Sequence, residues 1–362
     1  MSFQYFLYFL FGTVSKLFHR RMLNVLLSLC ILSVLSACDQ PSNTGENKAQ
    51  QNKMSVLILV PQNPDTDAWS SEGRQGAERI KTQLNADVTL VPNSDPNNIK
   101  GDELYDMIRP NIEDGVRVVI GLGGQYEAFL RQLADRYTHT SVALVGEVQG
   151  NNRNFGGAAG RFDDIGYVMG TLASQQLKPD GEASQKVAFL GGIPFKTYQG
   201  MAESYKRGVQ GQNTSVDVLV DWVGSFANEQ LALKKAKVIL DQGVRVLFIN
   251  TGMGNQAIVQ LIKQYPDRKL LVIDTEARDD WNPNQVIATG IMDIAGIITQ
   301  ATHQVSLGHW RGEQVWFSFE ENVAQVKLNK VLVNDKNKAQ IDQVISQLKG
   351  GHLNRDSSAE QE

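Results

Sequence analysis

Short apolar runs alternate with amphipathic stretches along most of the chain, and this alternation predicts regular strands and helices. The apolar runs are rich in β-branched residues and mostly lack a polar face. Such runs are typical of strands that are buried on both faces, as in a parallel sheet covered by helices. The predicted strands are residues 55–60, 88–91, 116–122, 141–145, 186–190, 216–220, 244–250, 269–273 and 286–292. The spacing of apolar positions predicts helices between them, including residues 72–84, 127–136, 165–176, 230–240 and 258–264.

This alternation of strands and helices predicts an α/β fold made of doubly wound parallel sheets. Two segments have counterparts later in the chain: residues 114–120 resemble residues 242–248, and residues 55–60 resemble residues 186–191. Both counterparts follow at nearly the same spacing. We therefore expect two similar lobes joined by a hinge. The central cleft should lie at the carboxyl ends of their strands, where α/β proteins usually bind ligands.

The expected organisation adds an export segment, a tether and a tail to these two lobes. The hinge is expected near Phe162, Ile294 and Trp310. Lobe 1 is expected to comprise residues 54–162 plus 286–310, and lobe 2 residues 163–285 plus 311–350. The other segments are a signal peptide at residues 1–37, a flexible tether at residues 38–53 and a disordered tail at residues 351–362.

The beginning of the chain has the pattern of a bacterial export signal. Residues 1–37 contain no Asp or Glu, and basic residues precede an apolar run at residues 22–35. A basic region, a short apolar region and small residues before a cleavage point are typical of a secretory signal. Leu-Ser-Ala-Cys at residues 35–38 resembles the lipobox of bacterial lipoproteins, in which the Cys is acylated and becomes the first mature residue. The polar residues 39–53 then predict a flexible tether from the lipid on Cys38.

Composition and charge narrow the class of protein. Of 362 residues, 42% are hydrophobic and 20% are charged, which is enough apolar surface for large cores and excludes global disorder. The net charge of −4 offers no basic excess to nucleic acid phosphates, so we expect no nucleic acid partner. Cys30 leaves with the signal and Cys38 carries lipid. No thiol then remains for a disulfide or for a metal site.

The chain carries no recognisable catalytic constellation. Its five histidines form no i, i+4 pair, and it has neither a phosphate-binding loop nor a Gly-x-Ser-x-Gly motif. The carboxylate pairs Asp163-Asp164 and Asp279-Asp280 are better explained as turn residues, and Asp163 or Asp164 is a good N-cap for the following helix. We therefore expect a protein that is not an enzyme and that uses no metal and no cofactor.

Residues that closely follow predicted strands are the candidates for ligand contact. Trp69 follows the first strand and Phe226 follows the strand at residues 216–220, so the two rings are expected on different lobes across the cleft. A flat ring held between two aromatic side chains gains a large contact area at small entropic cost. The alternative is that each aromatic residue only fills the core of its own lobe. Asp274 follows another strand, where a carboxylate accepts hydrogen bonds from ligand hydroxyl or ring N–H groups.

The glycine-rich segment at residues 121–124 has two interpretations. It begins like a dinucleotide-binding fingerprint, but Tyr126 stands where the third glycine is required. We favour a tight turn from strand to helix, in which Gly123 brings the backbone close to a ligand.

Several longer motifs between Val56 and Val331 resemble segments of one known protein family. The most specific are Phe-Leu-Gly-Gly-Ile-Pro at residues 189–194 and Val-Gly-Ser-Phe at residues 223–226. The others are residues 157–173, 250–254 and 272–274. Together they resemble the basic membrane protein family of substrate-binding lipoproteins, whose best-known members are purine nucleoside receptors of ABC importers. The resemblance implies a fold like that of type I periplasmic binding proteins and a ring-bearing ligand.

The resemblance also implies roles for individual residues. Asp67, Trp69 and Ser70 loosely match a family segment, Asp-x-Ser-Phe-Asn, that supplies an aromatic and a polar group. Phe226 matches a family Phe. Asp274 matches a family aspartate that follows a late strand.

Two positions depart from the family pattern. Gly146 stands where the family usually has Asp, although Glu147 is adjacent, and Asp293 stands where the family often has Lys. Losing an acid and reversing a charge should change which polar edge of a ligand is recognised. The complete expected ligand-binding set is Asp67, Trp69, Ser70, Gly123, Glu147, Phe226, Gly252, Asp274 and Asp293.

These observations predict a lipid-anchored solute-binding protein of an ABC-type importer, which closes two lobes on a small ring-bearing solute. A purine nucleoside is the first expected ligand, and a riboflavin-like heteroaromatic is the second. The alternatives are a ligand-sensing lipoprotein and a nucleotide-using enzyme. The expected partners are the solute, the permease and ATPase subunits of the importer, and the membrane, with the protein itself a monomer. It is expected at the cell membrane, facing the periplasm or exterior, and Asp39 suggests the inner membrane of a Gram-negative host.

Overall fold

The computed structural model describes residues 53–177, 185–211, 215–275, 278 and 281–351. Each lobe contains one sheet of mainly parallel strands. The strands of lobe 1 are β1 (Ser55–Leu59), β2 (Asp87–Val91), β3 (Val118–Leu122), β4 (Ser141–Val145), β5 (Phe155–Gly160) and β11 (Val315–Phe317). Those of lobe 2 are β6 (Lys186–Gly191), β7 (Asp217–Trp222), β8 (Val246–Asn250), β9 (Lys269–Asp274), β10 (Val286–Met292) and β12 (Ala324–Leu328). The helices are α1 (Ala68–Leu84), α2 (Gly101–Glu113), α3 (Glu127–Arg136), α4 (Phe162–Gln175), α5 (Lys196–Gln210), α6 (Glu229–Asp241), α7 (Gly254–Leu261), α8 (Ile294–Ser306) and α9 (Asp335–Lys349).

The two sheets have the same strand order. Lobe 1 is ordered β11-β5-β4-β3-β1-β2, and lobe 2 is ordered β12-β10-β9-β8-β6-β7. Pairing is parallel in both sheets except between β10 and β12. The internally similar segments occupy equivalent positions, because β1 corresponds to β6 and β3 to β8. The predicted fold of two doubly wound lobes is therefore confirmed.

The strands are continuously apolar because both faces of each sheet are covered. All residues of β3 and of β8 are buried. In β8, Val246 and Phe248 belong to a core that includes α4 and α5. Leu247 and Ile249, which point to the opposite face, belong to a core that includes α6 and α7. Because successive side chains point to opposite faces of the sheet, the position of a residue along the strand determines which face its side chain points to.

The terminal segments of the sequence analysis lie almost entirely outside the described residues. These are the signal peptide at residues 1–37, the lipidation site Cys38, the tether up to residue 52 and the tail from residue 352 onward. Asp279 and Asp280 also lie outside them. Among the helices that the structure describes, none is both long enough and apolar enough to cross a bilayer.

The lobe boundaries differ from those expected at two strands. β10, expected in lobe 1 as part of residues 286–310, pairs with β9 and β12 of lobe 2. β11, expected in lobe 2 as part of residues 311–350, pairs with β5 of lobe 1. The chain therefore crosses between the lobes after β5, after β10 and after β11. An apolar run does not specify which sheet it joins, because the path of the whole chain decides its neighbour.

A buried carboxylate joins the first of these crossings to the third. Asp164 is 1% exposed and accepts a hydrogen bond from Ser318 Oγ at 2.6 Å. Helix α4 begins at Phe162 with Arg161 in the capping position, so the expectation of Asp163 or Asp164 as N-cap is wrong. Asp164 lies instead in the first turn, where the free N–H groups of a helix favour a negative charge.

Helices α4 and α5 pack with their backbones in close approach. A Cβ atom built on Gly170 would lie 2.1 Å from the carbonyl oxygen of Tyr205, and one on Gly208 would lie 2.2 Å from that of Tyr167. Gly166 faces the carbonyl of Met201 in the same way, at 2.3 Å. No side chain fits at these three positions. The close packing beneath the lobe 2 sheet therefore depends on glycine.

Replacing Gly170 by Ala is expected to lower the free energy of unfolding by about 1–3 kcal/mol, because the added methyl overpacks the interface between α4 and α5. This loss outweighs the gain of about 1 kcal/mol that Ala brings to a helix. Chemical denaturation monitored by circular dichroism measures the change.

Gly200 is the matched control, because it lies in α5 and nothing stands within 4 Å of a Cβ built there. Gly200→Ala is expected to raise stability by up to about 1 kcal/mol. Equal effects of the two substitutions would show that the close approach of the helices is not a constraint.

Candidate functional site

The carboxyl ends of the parallel strands carry the predicted site residues in both lobes. One polar contact there joins the lobes directly. Glu147, just after β4 of lobe 1, lies 3.3 Å from Lys196 Nζ at the start of α5 in lobe 2. Thr197 Oγ1 donates to the other Glu147 oxygen at 3.4 Å. The Glu147 carboxylate therefore contacts the opposite lobe through both of its oxygens.

The start of α1 forms the candidate site in lobe 1. The Asp67 carboxylate caps this helix by accepting from the backbone N–H of Ser70 at 2.7 Å. The Ser70 hydroxyl accepts from the backbone N–H of Gln62 at 3.0 Å and is fully buried. Both polar side chains therefore hold the loop between β1 and α1 in place. Such capping favours the local backbone conformation and stabilises the helix.

Trp69 lies in the first turn of α1 and is 37% exposed. Its indole N–H donates to the carbonyl of Leu122, the last residue of β3, at 3.3 Å. This bond anchors one edge of the ring at the ends of β1 and β3, which are adjacent strands. A large aromatic side chain with this exposure and a fixed orientation is suited to ring contact.

Gly123 makes the tight turn that the sequence predicted after β3. Its φ of +113° is unfavourable for residues with a side chain, and a Cβ there would lie 2.4 Å from Gln125 Oε1. Tyr126, in place of the third glycine of a dinucleotide fingerprint, is fully buried, and its hydroxyl lies 2.8 Å from Ser94 Oγ. The segment is therefore a strand-to-helix turn whose aromatic residue fills the core.

A row of three aromatic rings lines the start of α5 in lobe 2. Tyr198 is central: its ring centroid lies 5.2 Å from that of Phe162 and 5.4 Å from that of Phe226, in edge-to-face geometry. Burial raises the pKa of Tyr198 to about 12, so its hydroxyl is neutral at physiological pH. Phe162 belongs to the first crossing, and α5 also carries Lys196. The aromatic row therefore joins the first crossing to the loop that follows β7.

Glycines on neighbouring strand ends make room for Phe226. A Cβ on Gly192 would lie 2.3 Å from the Phe226 ring. Gly252, with φ of +62°, would place a Cβ 2.6 Å from the Phe226 carbonyl oxygen. The predicted Gly252 thus supports the aromatic residue through its backbone. The sequence analysis did not select Tyr198, although its position shortly after β6 was a usable signal.

The two predicted aspartates of lobe 2 differ in their surroundings. Asp274 ends β9 with its side chain 16% exposed, and its oxygens accept from the Thr275 backbone N–H at 2.8 Å and from Arg278 Nε at 3.1 Å. A carboxylate has about four acceptor sites, so further hydrogen bonds remain open to it. Asp293 caps α8 by accepting from the Gly296 N–H at 2.9 Å, and its other oxygen pairs with Arg79 of α1.

Asp293 therefore stabilises the second crossing, because Arg79 belongs to lobe 1 and the capped helix follows directly from β10. This ion pair was not predicted from the sequence. Within the described ranges, no three His, Cys, Asp or Glu side chains come together in a way that suits a metal ion.

Comparison with known proteins identifies the family of the chain. Residues 53–352 match a family described as PnrA-like ABC transporter substrate-binding proteins. The chain belongs to this family of substrate-binding proteins. The resemblance to basic membrane proteins is thereby confirmed: basic membrane protein D of Borreliella burgdorferi is 22% identical over 286 residues, which cover 78% of this chain and 79% of that protein.

Two further comparisons concern a relative and a solved structure. A purine-binding protein of Brucella abortus is 24% identical to this PnrA-like protein over 208 residues, which cover 54% of this chain and 53% of that protein. A solved structure of an ABC transporter solute-binding protein from Aeropyrum pernix K1 has a TM-score of 0.64 at 18% identity, covering 82% of this chain and 92% of that chain. The family and the fold are those of solute-binding proteins.

Removing the contact between the lobes is expected to open the cleft. Glu147→Gln combined with Lys196→Gln deletes an ion pair whose side chains are 24% and 54% exposed. A pair this exposed to solvent is worth about 0.2–1 kcal/mol, which is at most about a fivefold change in the ratio of closed to open forms. Small-angle scattering at low salt should report a larger radius of gyration for the double variant.

The pair Lys235–Asp221 is the control, because it joins α6 to β7 inside lobe 2 at 2.9 Å. Neutralising that pair should leave the radius of gyration unchanged. Addition of 1 M salt should reduce the difference between wild type and the Glu147–Lys196 double variant. A radius that is identical in the wild type and the double variant at low salt would contradict the role of this pair in closure.

Proposed function

We propose that this PnrA-like protein is a lipid-anchored receptor that binds a purine nucleoside between its lobes and delivers it to an ABC-type importer. The observation that carries the proposal is the placement of one aromatic side chain at the strand ends of each lobe, Trp69 in lobe 1 and Phe226 in lobe 2. The purine-binding relative is consistent with this ligand class. The partners proposed are the permease and ATPase subunits of the importer, and the receptor acts as a monomer.

The two rings supply complementary walls for a flat ligand. Trp69 is anchored at its N–H edge by Leu122, and Phe226 is held by Tyr198 and two glycines. Side chains fixed in this way lose little entropy when a ring stacks on them. Stacking accepts any planar heterocycle, so polar groups around the rings must select among bases.

Asp274 is proposed to hold the ribose. Its carboxylate is largely buried at the end of β9, and Arg278 and the Thr275 N–H orient it. Two vicinal hydroxyls are the natural donors to the acceptor sites that remain. Because Gly146 and Asp293 depart from the family pattern, the polar edge of the nucleoside base would meet different side chains from those usual in the family. Glu147 is occupied by Lys196, and Asp293 by Arg79 and the α8 N-terminus.

A direct titration tests the ligand class. Adenosine, guanosine, inosine and riboflavin are titrated by calorimetry against the purified full chain in detergent. At least one nucleoside is expected to bind well below 1 mM, a threshold of only about −4 kcal/mol. Binding of riboflavin alone would favour the heteroaromatic alternative, and release of free base from a nucleoside would favour an enzyme.

Loss of either aromatic ring is expected to weaken nucleoside binding. Trp69→Ala and Phe226→Ala should each cost about 1–3 kcal/mol, the scale of one base–aromatic stack, or roughly tenfold to over a hundredfold in Kd. Trp69→Phe and Phe226→Trp retain a ring and are the matched controls, with losses that should be much smaller. If the Ala variants bind the nucleoside as tightly as wild type, both aromatics only fill the cores of their lobes.

Lipidation of Cys38 is expected to anchor the receptor at the membrane, in the inner membrane if the host is Gram-negative. Cys38→Ser should leave an unprocessed precursor that incorporates no labelled palmitate, because the acylated thiol is missing. Cys30→Ser removes the other cysteine of the chain and should be processed and labelled normally. Labelling that persists in Cys38→Ser would rule out this anchor.

A further inference from the structure

Asn250 carries an unpaired buried amide at the centre of the cleft side of lobe 2. It is the last residue of β8, which lies between β9 and β6 in the sheet. The residue is 9% exposed, and its Nδ2 atom is fully buried with no hydrogen-bond partner among the residues that the structure describes. Buried amide donors are almost always paired in native proteins, because an unpaired one loses its hydration without compensation.

The strand geometry fixes the direction of this amide. Val246 and Phe248 point to the face of the sheet covered by α4 and α5, and a strand alternates strictly, so Asn250 points to the same face. Its partner in register on β6 is Gly191, which has no side chain. A Cβ on Gly191 would lie 2.3 Å from the Trp222 ring. The Asn250 side chain therefore has a glycine on one side, with the Trp222 ring beyond it.

The backbone of Asn250 is linked through one glycine to the aromatic residue proposed to stack on the ligand. The carbonyl of Asn250 accepts from the backbone N–H of Gly192 at 2.8 Å. Gly192 is the residue against which the Phe226 ring packs. The backbone that carries the amide is therefore one hydrogen bond away from the residue that supports the Phe226 ring. It is also on the same sheet face as Tyr205, which contacts Phe248.

A neighbouring asparagine shows that the unpaired amide is not a general property of this loop. Asn255 donates from Nδ2 to the Ile273 carbonyl at 2.8 Å, and its Oδ1 accepts from the N–H and the hydroxyl of Thr251, both at 2.9 Å. Asn255 thereby satisfies the backbone around the start of α7. Asn250, five residues earlier in the chain, makes no such side-chain hydrogen bond from its Nδ2 atom.

We infer that Asn250 Nδ2 donates a hydrogen bond to an acceptor atom on the edge of the ring bound against Phe226, and that it selects rings with an acceptor there. The inference rests on the proposed function. The acceptor is a ring nitrogen or a ring carbonyl, since these are the atoms that a planar heterocycle presents in its own plane. Stacking is indifferent to such atoms, whereas a buried donor discriminates strongly against a ring that leaves it unpaired.

The test combines variants of Asn250 with nucleosides that lack single acceptors. Asn250→Leu removes the donor and keeps the branching of the side chain, and Asn250→Ala, the second variant, removes the donor without adding volume. Both are titrated, as the full chain in detergent, with adenosine, with its 1-, 3- and 7-deaza analogues, and with inosine. Both variants should bind adenosine or inosine about threefold to tenfold more weakly than wild type, the scale of one neutral hydrogen bond. Gln242→Leu, an amide at the far end of α6, should bind like wild type.

The decisive result is non-additivity with the ligand. For one acceptor-deleted analogue, wild type should lose affinity, relative to the parent nucleoside, by a factor similar to that caused by the Asn250 substitutions. Asn250→Leu should bind that same analogue no more weakly than wild type does. The melting temperature of ligand-free Asn250→Leu should be unchanged or higher, because an unpaired donor has been removed. A purely structural role would lower that temperature and leave ligand selectivity unchanged.

Three outcomes would overturn the inference. If the Asn250 variants lose affinity equally for every ligand, or lose none, the amide recognises no acceptor. Purine riboside lacks the 6-amino donor of adenosine. If the Asn250 variants lose affinity for adenosine but not for purine riboside, the amide oxygen accepts a hydrogen bond from a donor instead. Failure of wild type to bind any nucleoside would overturn the proposed function as well, so the two failures are distinguishable.

Discussion

Parallel pairing of strands is the constraint on which the rest of this structure depends. Parallel strands start at one edge of a sheet and end at the other, so every loop that follows a strand opens at the same edge. In both lobes that edge carries the candidate site. Trp69 follows β1, Glu147 follows β4, and Phe226 and Asp274 follow strands of lobe 2. Helices must then return the chain along both faces, which is why the strands themselves are apolar throughout.

The three crossings add the second constraint, because they connect two rigid lobes through a small number of polar contacts. Asp164 and Ser318 join the first crossing to the third, and Asp293 pairs with Arg79 at the second. These groups are partly or wholly buried, where an unpaired charge is costly. Glu147 and Lys196 make a more exposed contact across the cleft. The buried contacts are suited to a permanent hinge, and the exposed contact is suited to one that forms and breaks.

In the proposed mode of binding, ligand recognition divides between rigid apolar walls and a few polar groups. Phe226 lies against the backbones of Gly192 and Gly252 and against the Tyr198 ring, so both glycines and side-chain packing define its position. The departures from the family pattern lie at polar positions. Asp293 serves the hinge, and Gly146 has no side chain. If the protein binds a ring as proposed, selectivity for its edge rests on other groups, and Asn250 supplies a buried donor without a partner among the described residues.

The sequence by itself determined the strand–helix alternation, the duplication of the lobes and the residues that follow each strand. These features are local, since apolar spacing and glycine positions carry them directly. Only the tertiary structure decided that β10 joins lobe 2 and β11 joins lobe 1, because an apolar run fits either sheet and the chain path selects its neighbour. The same holds for polar side chains. Asp293 follows a strand and Asn250 ends one. Arg79, distant in sequence, pairs with the Asp293 carboxylate, whereas the Asn250 Nδ2 atom has no partner among the described residues.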